Sequence, residues 1–231
     1  MSTATRYQHV RSALDEACRQ AGRDPQDVLL LAVSKTVDLD QVEEALGAGA
    51  TAFGENRPDE LLRKQAAFPD VEWHFIGNIQ SRRIADIVSA ATVIHSVCKE
   101  AHLAKIDAAA AAIGKVQRVL LEVNVSGEES KSGFAPDEVL GIIERAQGLR
   151  HLAIEGLMTM APRAQAERIE ATFSGLQDLE RRLNEQLVTC GEQRGLSALS
   201  MGMTEDWRVA VLFGTTIVRV GRAIFDASFE Q

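Results

Sequence analysis

The sequence has few of the residues that build metal and redox sites. Its three cysteines, Cys18, Cys98 and Cys190, are far apart, and no pair has the spacing of a metal site or a redox motif. The five histidines form no closely spaced pair either. We therefore expect reduced thiols, as in a cytoplasm, and no bound metal ion.

Long apolar runs and an excess of basic charge are absent as well. No apolar segment is long enough to span a membrane, and the first residues lack the apolar stretch of a signal peptide. The net charge is −8, and the acidic residues are spread along the chain. Nucleic acids and anionic membranes bind basic surfaces. These absences predict a cytoplasmic protein that binds neither nucleic acid nor membrane.

Apolar, strand-like segments alternate with amphipathic, helix-like segments along the 231 residues, of which 45% are hydrophobic. An opening helix carries Tyr7, Val10 and Leu14 on one face and ends at Gly22. The strand candidates that follow are 28–35, 51–55, 71–78, 92–97, 117–125, 153–160, 196–202 and 216–221.

Eight strand–helix units predict an α/β fold, a single (β/α)₈ barrel that covers residues 1–231 and has an extra N-terminal helix. An open, doubly wound sheet is the alternative fold. That fold needs a glycine-rich loop after an early strand, and Ser34-Lys35-Thr36 is not such a loop.

The first predicted strand is an almost wholly apolar run that ends at Lys35. In a barrel, the functional groups follow the carboxyl ends of the strands. A lysine whose stem lies in an apolar site can have a lowered pKa, which frees the amine to form a Schiff base. The alternative interpretation is a lysine that snorkels from the strand end to water.

The ends of the last two strands have the composition of a phosphate site. Ser200, Gly202, Gly221 and the backbone near Arg222 offer hydroxyl and N–H donors. Glycines let the backbone approach an anion, and the loops after the seventh and eighth strands often hold phosphate in this fold. The alternative is that both glycines only serve tight turns.

Other polar side chains at the strand ends allow two interpretations each. Asn56 and Asn124 either orient a ligand or satisfy strand-end backbone groups. His74, between two aromatic residues, is either a packed, hydrogen-bonded histidine or an acid or base. Lys131 lies in a polar segment between glycines, where we expect it to be solvated.

Motifs along nearly the whole chain resemble the pyridoxal phosphate homeostasis proteins, and they occur in the order found in that family. The motifs are Leu31-Ala32-Val33-Ser34-Lys35, Phe53-Gly54-Glu55-Asn56, Trp73-His74-Phe75-Ile76-Gly77, Lys131-Ser132-Gly133, Gly156-Leu157-Met158, Leu199-Ser200-Met201-Gly202-Met203 and Val218-Arg219-Val220-Gly221 before Ala223-Ile224-Phe225. The resemblance implies a barrel like the N-terminal domain of alanine racemase.

The resemblance also implies that pyridoxal 5′-phosphate is held as a Schiff base on Lys35. It implies that Ser200, Gly202 and Gly221 bind the phosphate and that Arg219 faces the pyridine nitrogen. The full set of implied cofactor-binding residues is Lys35, Asn56, Ser200, Gly202, Arg219, Gly221 and Arg222. Family members are regarded as carriers or regulators of pyridoxal phosphate supply, which would make apo-enzymes that use this cofactor the recipients.

Two positions depart from the family pattern. Arg57-Pro58 replaces the usual Tyr-Val after Gly-Glu-Asn, and Arg222 replaces a Thr or Ser after the last strand. The second change removes a hydroxyl donor, and the guanidinium can replace it with charge.

Three functions fit these residues: a cofactor carrier, a pyridoxal phosphate-dependent racemase, and an aldolase-like barrel in which Lys35 reacts directly with a substrate. Two-base racemisation needs a second proton carrier opposite Lys35. Racemases of this fold take it from a tyrosine of an added β-domain, whereas the only tyrosine here is Tyr7, and the chain ends soon after its eighth strand. We therefore expect a monomeric carrier, with His74 as the remaining candidate for a second base.

Overall fold

Eight parallel strands close into a barrel, as the alternation of strand and helix segments predicts. The structure is a computed structural model that describes residues 1–129, 131–162, 166–189 and 195–229. The strands are β1 Leu29–Val33, β2 Ala52–Glu55, β3 Glu72–Phe75, β4 Val93–Val97, β5 Gln117–Glu122, β6 Leu152–Met158, β7 Ala198–Met203 and β8 Ile217–Val220. They follow sequence order around the barrel, and β8 closes it by pairing with β1.

Helices cover the outside of the barrel. They are α1 Thr3–Gln20, α2 Leu39–Gly47, α3 Pro58–Ala67, α4 Ile84–Ala90, α5 Glu100–Ala112, α6 Val139–Ala146, α7 Ala166–Thr189, α8 Trp207–Leu212 and α9 Arg222–Phe225. Among the described helices, none combines the length and the apolar character that crossing a membrane requires. Cys190, one of the three cysteines of the sequence analysis, lies outside the described residues.

The predicted N-terminal helix is α1, which packs against α2, α8 and α9 on the outside of the barrel. The phenol of Tyr7 donates a hydrogen bond to the carbonyl of Gly49, shortly before β2, at 3.5 Å. Nε of Arg6 donates to the carbonyl of Ile224 in α9 at 2.7 Å. The phenol of Tyr7 therefore reaches the segment before β2, at the end of the barrel where the strands begin.

Inside the barrel, polar side chains lie at the same levels as apolar ones, with Arg219 beside Leu31 and His74 beside Val93. The inner apolar cluster comprises Leu31, Ala52, Val93, Leu120, Met158 and Ile217, with Leu29, Ile76 and Ala198 packed against it. Because alternate residues of a strand face opposite sides, the residues two positions away also point inward. Four polar residues among these form hydrogen bonds with one another: His74, His95, Ser200 and Arg219.

Candidate functional site

Lys35 lies two residues beyond the end of β1, at the mouth of the barrel. Strand β1 lies between β2 and β8, with Val33 beside Gly54 and Ala32 beside Val220. The side chain of Lys35 is exposed, and within the described residues its ammonium makes no hydrogen bond and no ion pair. Lys35 thus places an accessible amine between the ends of β2 and β8, as predicted, although apolar groups do not enclose the stem of its side chain.

A buried ion pair holds the peptide that precedes Lys35. Nζ of Lys64 donates to Oε1 of Glu55 at 2.6 Å and to the carbonyl of Ser34 at 2.7 Å. The hydroxyl of Ser34 donates to the same carboxylate oxygen at 2.5 Å. The sequence analysis missed Lys64, but its spacing from Leu61 could have revealed it, because residues three apart on a helix share one face.

Arg219 lies almost completely buried, 5% exposed, below the mouth. Its Nη1 donates to the carbonyl and the hydroxyl of Ser200 at 2.8 and 2.6 Å, and its Nη2 donates to the carbonyl of Thr159 at 2.9 Å. Its Nε–H and the second hydrogen on Nη2 make no hydrogen bond within the described residues, so two of its five donors are available to a ligand. Burial lowers the pKa of Arg219 to about 10, against the attraction of Asp206 and Glu122. The guanidinium is therefore charged at neutral pH.

The hydroxyl of Ser200 is occupied inside the barrel. Ser200 is fully buried, and its Oγ lies 2.9 Å from Nδ1 of His95 as well as beside Arg219. The hydroxyl at the mouth belongs instead to Thr204, a half-buried residue whose Oγ1 accepts a hydrogen bond from the Gly221 amide at 3.4 Å. The sequence analysis did not single out Thr204; its position directly after the seventh strand is the signal that could have done so.

The two glycines of the predicted phosphate site, Gly202 and Gly221, are each required by a different close contact. Gly202 has a φ of +92°, and a Cβ there would lie 2.7 Å from Cβ of Ala210 and 2.9 Å from Cα of Trp207. A Cβ on Gly221 would lie 3.1 Å from the carbonyl of Val33. Gly202 thus lets α8 pack closely against β7, and Gly221 brings the end of β8 against the end of β1, next to Lys35.

The loops after β2 and β3 touch at Asn56, which is exposed. A Cβ on Gly77 would lie 2.1 Å from the carbonyl of Asn56, so only glycine permits this approach. Arg222 is also exposed, forms an ion pair with Glu205 and lies 5.4 Å from the ring centre of Phe229. The two side chains that follow β2 and β8 therefore both face solvent at the mouth.

Two other candidates have structural partners. Nδ2 of Asn124 donates to the carbonyl of Glu128 at 2.9 Å, which favours the interpretation that it satisfies the backbone of its loop. Nζ of Lys131 contacts the carbonyl of Met160 and the carboxylate of Glu128, both at 3.0 Å. These contacts hold both side chains within the loops after β5 and β6.

His74 is a packed, hydrogen-bonded histidine, which confirms one of its two interpretations. It is 1% exposed, and its Nδ1 lies 2.9 Å from Nε2 of His95. Burial lowers the pKa of His74, against the attraction of Glu72. His95 is fully buried, and burial lowers its pKa still further below the ordinary value. Both imidazoles are therefore neutral at neutral pH.

Comparison with known proteins places this barrel among its relatives. A model of the alanine racemase N-terminal domain matches residues 8–228. The chain is 41% identical to the pyridoxal phosphate homeostasis protein of Pseudomonas aeruginosa, covering 98% of this chain and 96% of that protein. It is 35% identical to the protein of that name from Aquifex aeolicus, covering 97% and 98% of the two chains.

A solved structure agrees with these matches. PipY of Synechococcus elongatus, solved with PLP bound, is 32% identical and superposes with a TM-score of 0.84, covering 97% of this chain and 100% of that one. The chain therefore belongs to the pyridoxal phosphate homeostasis proteins, a family built on the N-terminal barrel of alanine racemase.

Proposed function

We propose that this protein binds pyridoxal 5′-phosphate and acts in its intracellular homeostasis, as a carrier or regulator rather than as a fast catalyst. Relatives that match over nearly their whole length carry the name pyridoxal phosphate homeostasis protein, and PipY was solved with PLP bound. The observation that carries the proposal is the placement of an accessible, unpartnered amine, Lys35, beside the end of β8.

The residues at the mouth fit the three parts of this cofactor. The aldehyde forms a Schiff base with the amine of Lys35. The pyridine nitrogen accepts a hydrogen bond from the free Nε–H of Arg219, which is an obligate donor. Asn56, on the other side of β1, borders the ring.

The phosphate binds where β7 and β8 end, at Gly202, Thr204, Gly221 and Arg222. The Thr204 hydroxyl and the Gly221 amide, 3.4 Å apart, are the two donors at this point that would bind an anion. Arg222 adds charge in place of the hydroxyl that the family usually has there, although its ion pair with Glu205 partly neutralises it. Ser200 acts on the pyridine nitrogen instead, through Arg219.

The geometry disfavours the racemase alternative. His74, the remaining candidate for a second base, is buried and hydrogen-bonded to His95. The phenol of Tyr7 lies at the other end of the barrel, near Gly49. Neither group can carry a proton on the face of a ligand opposite Lys35.

The proposal includes a single domain over residues 1–231, a monomer in the cytoplasm, and apo-enzymes that use pyridoxal phosphate as the recipients. Cross-linking of the loaded protein to such an apo-enzyme, followed by cofactor transfer, tests the recipient. Sedimentation of the loaded protein tests the monomer.

An absorption spectrum before and after borohydride reduction tests the cofactor site. The wild-type protein is expected to be yellow, and reduction should attach the cofactor to the peptide that contains Lys35. Lys35→Ala should fold normally, because this side chain is exposed and unpartnered, but should retain no covalent cofactor. Lys131→Ala is the matched control and should still be labelled at Lys35. A protein that stays colourless after incubation with pyridoxal phosphate contradicts the proposal.

A further inference from the structure

A continuous row of polar groups crosses the inside of the barrel from Arg219 to Glu72. Nη1 of Arg219 lies 2.6 Å from Oγ of Ser200, which lies 2.9 Å from Nδ1 of His95. Nε2 of His95 lies 2.9 Å from Nδ1 of His74, and Nε2 of His74 lies 3.7 Å from the carboxylate of Glu72. The last distance is longer than a hydrogen bond, so Glu72 acts on His74 through its charge.

The guanidinium of Arg219 sets the direction in which the hydrogen bonds of this row are donated. Arg219 can only donate, so Oγ of Ser200 accepts from it. Within the described residues, the one acceptor near the proton of Ser200 is Nδ1 of His95. Ser200 therefore donates to Nδ1 of His95, and the proton of that neutral ring lies on Nε2.

The hydrogen bonds keep this direction as far as Glu72. Nε2–H of His95 donates to Nδ1 of His74, so the proton of His74 lies on Nε2 and points at the carboxylate of Glu72. In the opposite direction, the Ser200 proton would have no acceptor among the described residues, and a lone pair of His74 would face the negative charge of Glu72. Both ends therefore favour the same direction.

We propose that His74 and His95 are positioning residues for Arg219. A one-directional chain of hydrogen bonds runs from the guanidinium through Ser200 and the two neutral rings toward Glu72, and it fixes both imidazoles in the Nε2–H tautomer. Because Nδ1 of His95 accepts a hydrogen bond from Ser200, the lone pairs of Ser200 are directed at Arg219. Both Nη nitrogens are then anchored to the protein by three hydrogen bonds, and Nε–H is left for the pyridine nitrogen; only this last step rests on the proposed function.

Histidine tautomers in the cofactor-free, ¹⁵N-histidine-labelled wild type test the chain directly. Two-bond ¹H–¹⁵N correlation spectra should show a pyridine-like Nδ1 and a pyrrole-like Nε2 for both His74 and His95. Substitution of the other histidines by Gln, one at a time, assigns the two signals by elimination, so the assignment does not require variants of the chain itself. A protonated Nδ1 on either ring overturns the proposal.

Two buried serines provide a matched pair for the link between Ser200 and His95. Ser200→Ala removes the donor to Nδ1 of His95, and this nitrogen should shift toward its position in the absence of a hydrogen bond, with both tautomers of His95 populated. Ser96→Ala also removes a buried hydroxyl, which binds the carbonyl of Gly77 instead, and should leave His95 unchanged. Equal shifts in the two variants overturn the link.

The effect on Arg219 is read from the exchange of its Nε–H with water in the cofactor-free protein. His95→Gln should speed this exchange about tenfold, roughly the effect of one lost hydrogen bond, because the guanidinium is no longer held. His102→Gln, at a buried histidine that contacts Ser81 outside the barrel, is the control and should not change it. An unchanged exchange rate in His95→Gln rejects the positioning role.

The experiments can reject the proposed cofactor binding and the proposed hydrogen-bond chain independently of each other. A wild type with the stated tautomers that does not bind pyridoxal phosphate removes the proposed function and leaves the chain intact. A yellow, reducible protein with a protonated Nδ1 on either ring removes the chain and leaves the proposed function intact.

Discussion

Nζ of Lys64 lies 2.6 Å from Oε1 of Glu55, and neither side chain is exposed to solvent. The same ammonium binds the carbonyl of Ser34, the residue before Lys35. The pair therefore links α3 and β2 to the peptide that presents the reactive amine.

Lys64→Met is expected to lower the free energy of unfolding by about 3–5 kcal/mol, because the carboxylate of Glu55 stays buried without its partner. Urea denaturation measures this change. Lys99→Met, at an exposed lysine, is the control and should change stability little. The double variant Lys64→Met/Glu55→Leu should recover much of the loss, since no unpaired charge remains; a double variant as unstable as Lys64→Met alone would contradict the role of the ion pair.

The hydroxyls of Thr204 and Ser200 are expected to differ in whether their effect on binding depends on the phosphate of the ligand. Thr204→Val should weaken binding of pyridoxal phosphate about 10- to 100-fold, the effect of one lost hydrogen bond to a charged group, but should not affect unphosphorylated pyridoxal. Ser200→Ala should weaken both ligands alike, because it acts through Arg219. Titrations followed by absorbance measure the affinity of each variant for each ligand. If Ser200→Ala lowers the affinity for pyridoxal phosphate but not for pyridoxal, Ser200 belongs to the phosphate site.

Gly221→Val should lower cofactor affinity more than Thr204→Val does. The added side chain would press on the carbonyl of Val33, which a Cβ would approach to 3.1 Å, and would fill space beside the phosphate. Equilibrium dialysis with pyridoxal phosphate measures the loss, and thermal unfolding reports any separate cost to the fold. Gly148→Val is the control, because a Cβ there meets nothing within 4 Å.

The wild-type protein is expected to racemise alanine negligibly, far below ordinary enzyme rates of roughly 1–10³ per second. Arg219 can only donate, so the pyridine nitrogen must accept and stays unprotonated, which makes the ring a weaker electron sink. Arg219→Glu should favour ring protonation and raise exchange of the substrate α-proton, measured as deuterium incorporation from heavy water.

Arg208→Glu makes the same charge change at an exposed site and should leave this exchange unchanged. Because Arg219→Glu adds a carboxylate near Glu122 and Asp206, its folding is checked first by circular dichroism. Brisk racemisation by the wild type would contradict the carrier proposal.

Stability is expected to fall as the pH drops below about 6.5, the ordinary pKa of histidine. Burial lowers the pKa of His74 and His95 in the folded protein, so below that pH the unfolded chain binds protons that the folded chain does not. Each histidine contributes a slope of up to about 1.4 kcal/mol per pH unit, which ends at its lower folded pKa. His95→Gln should reduce the slope, measured by urea denaturation between pH 4 and 7, and His9→Gln, at an exposed site, should not.

The order of elements was predictable from the sequence alone. Apolar runs separated by amphipathic segments identified all eight strands, because strands buried on both faces leave a continuous apolar signal. The position of Lys35 at a strand end followed directly, and strand ends share one face of a barrel. The family motifs added the cofactor, which no periodicity contains.

Contacts inside the barrel were not predictable in the same way. His95 and Ser200 are 105 residues apart, and their hydrogen bond exists only because closure of the barrel brings β4 and β7 face to face across its interior. The register between β7 and β8 shifts after Ser200. Ser200, before the shift, points into the barrel, whereas Thr204, after it, lies at the mouth. The sequence by itself determined which residues end the strands; only the tertiary structure decided which of them meet, because these contacts depend on closure and register rather than on local pattern.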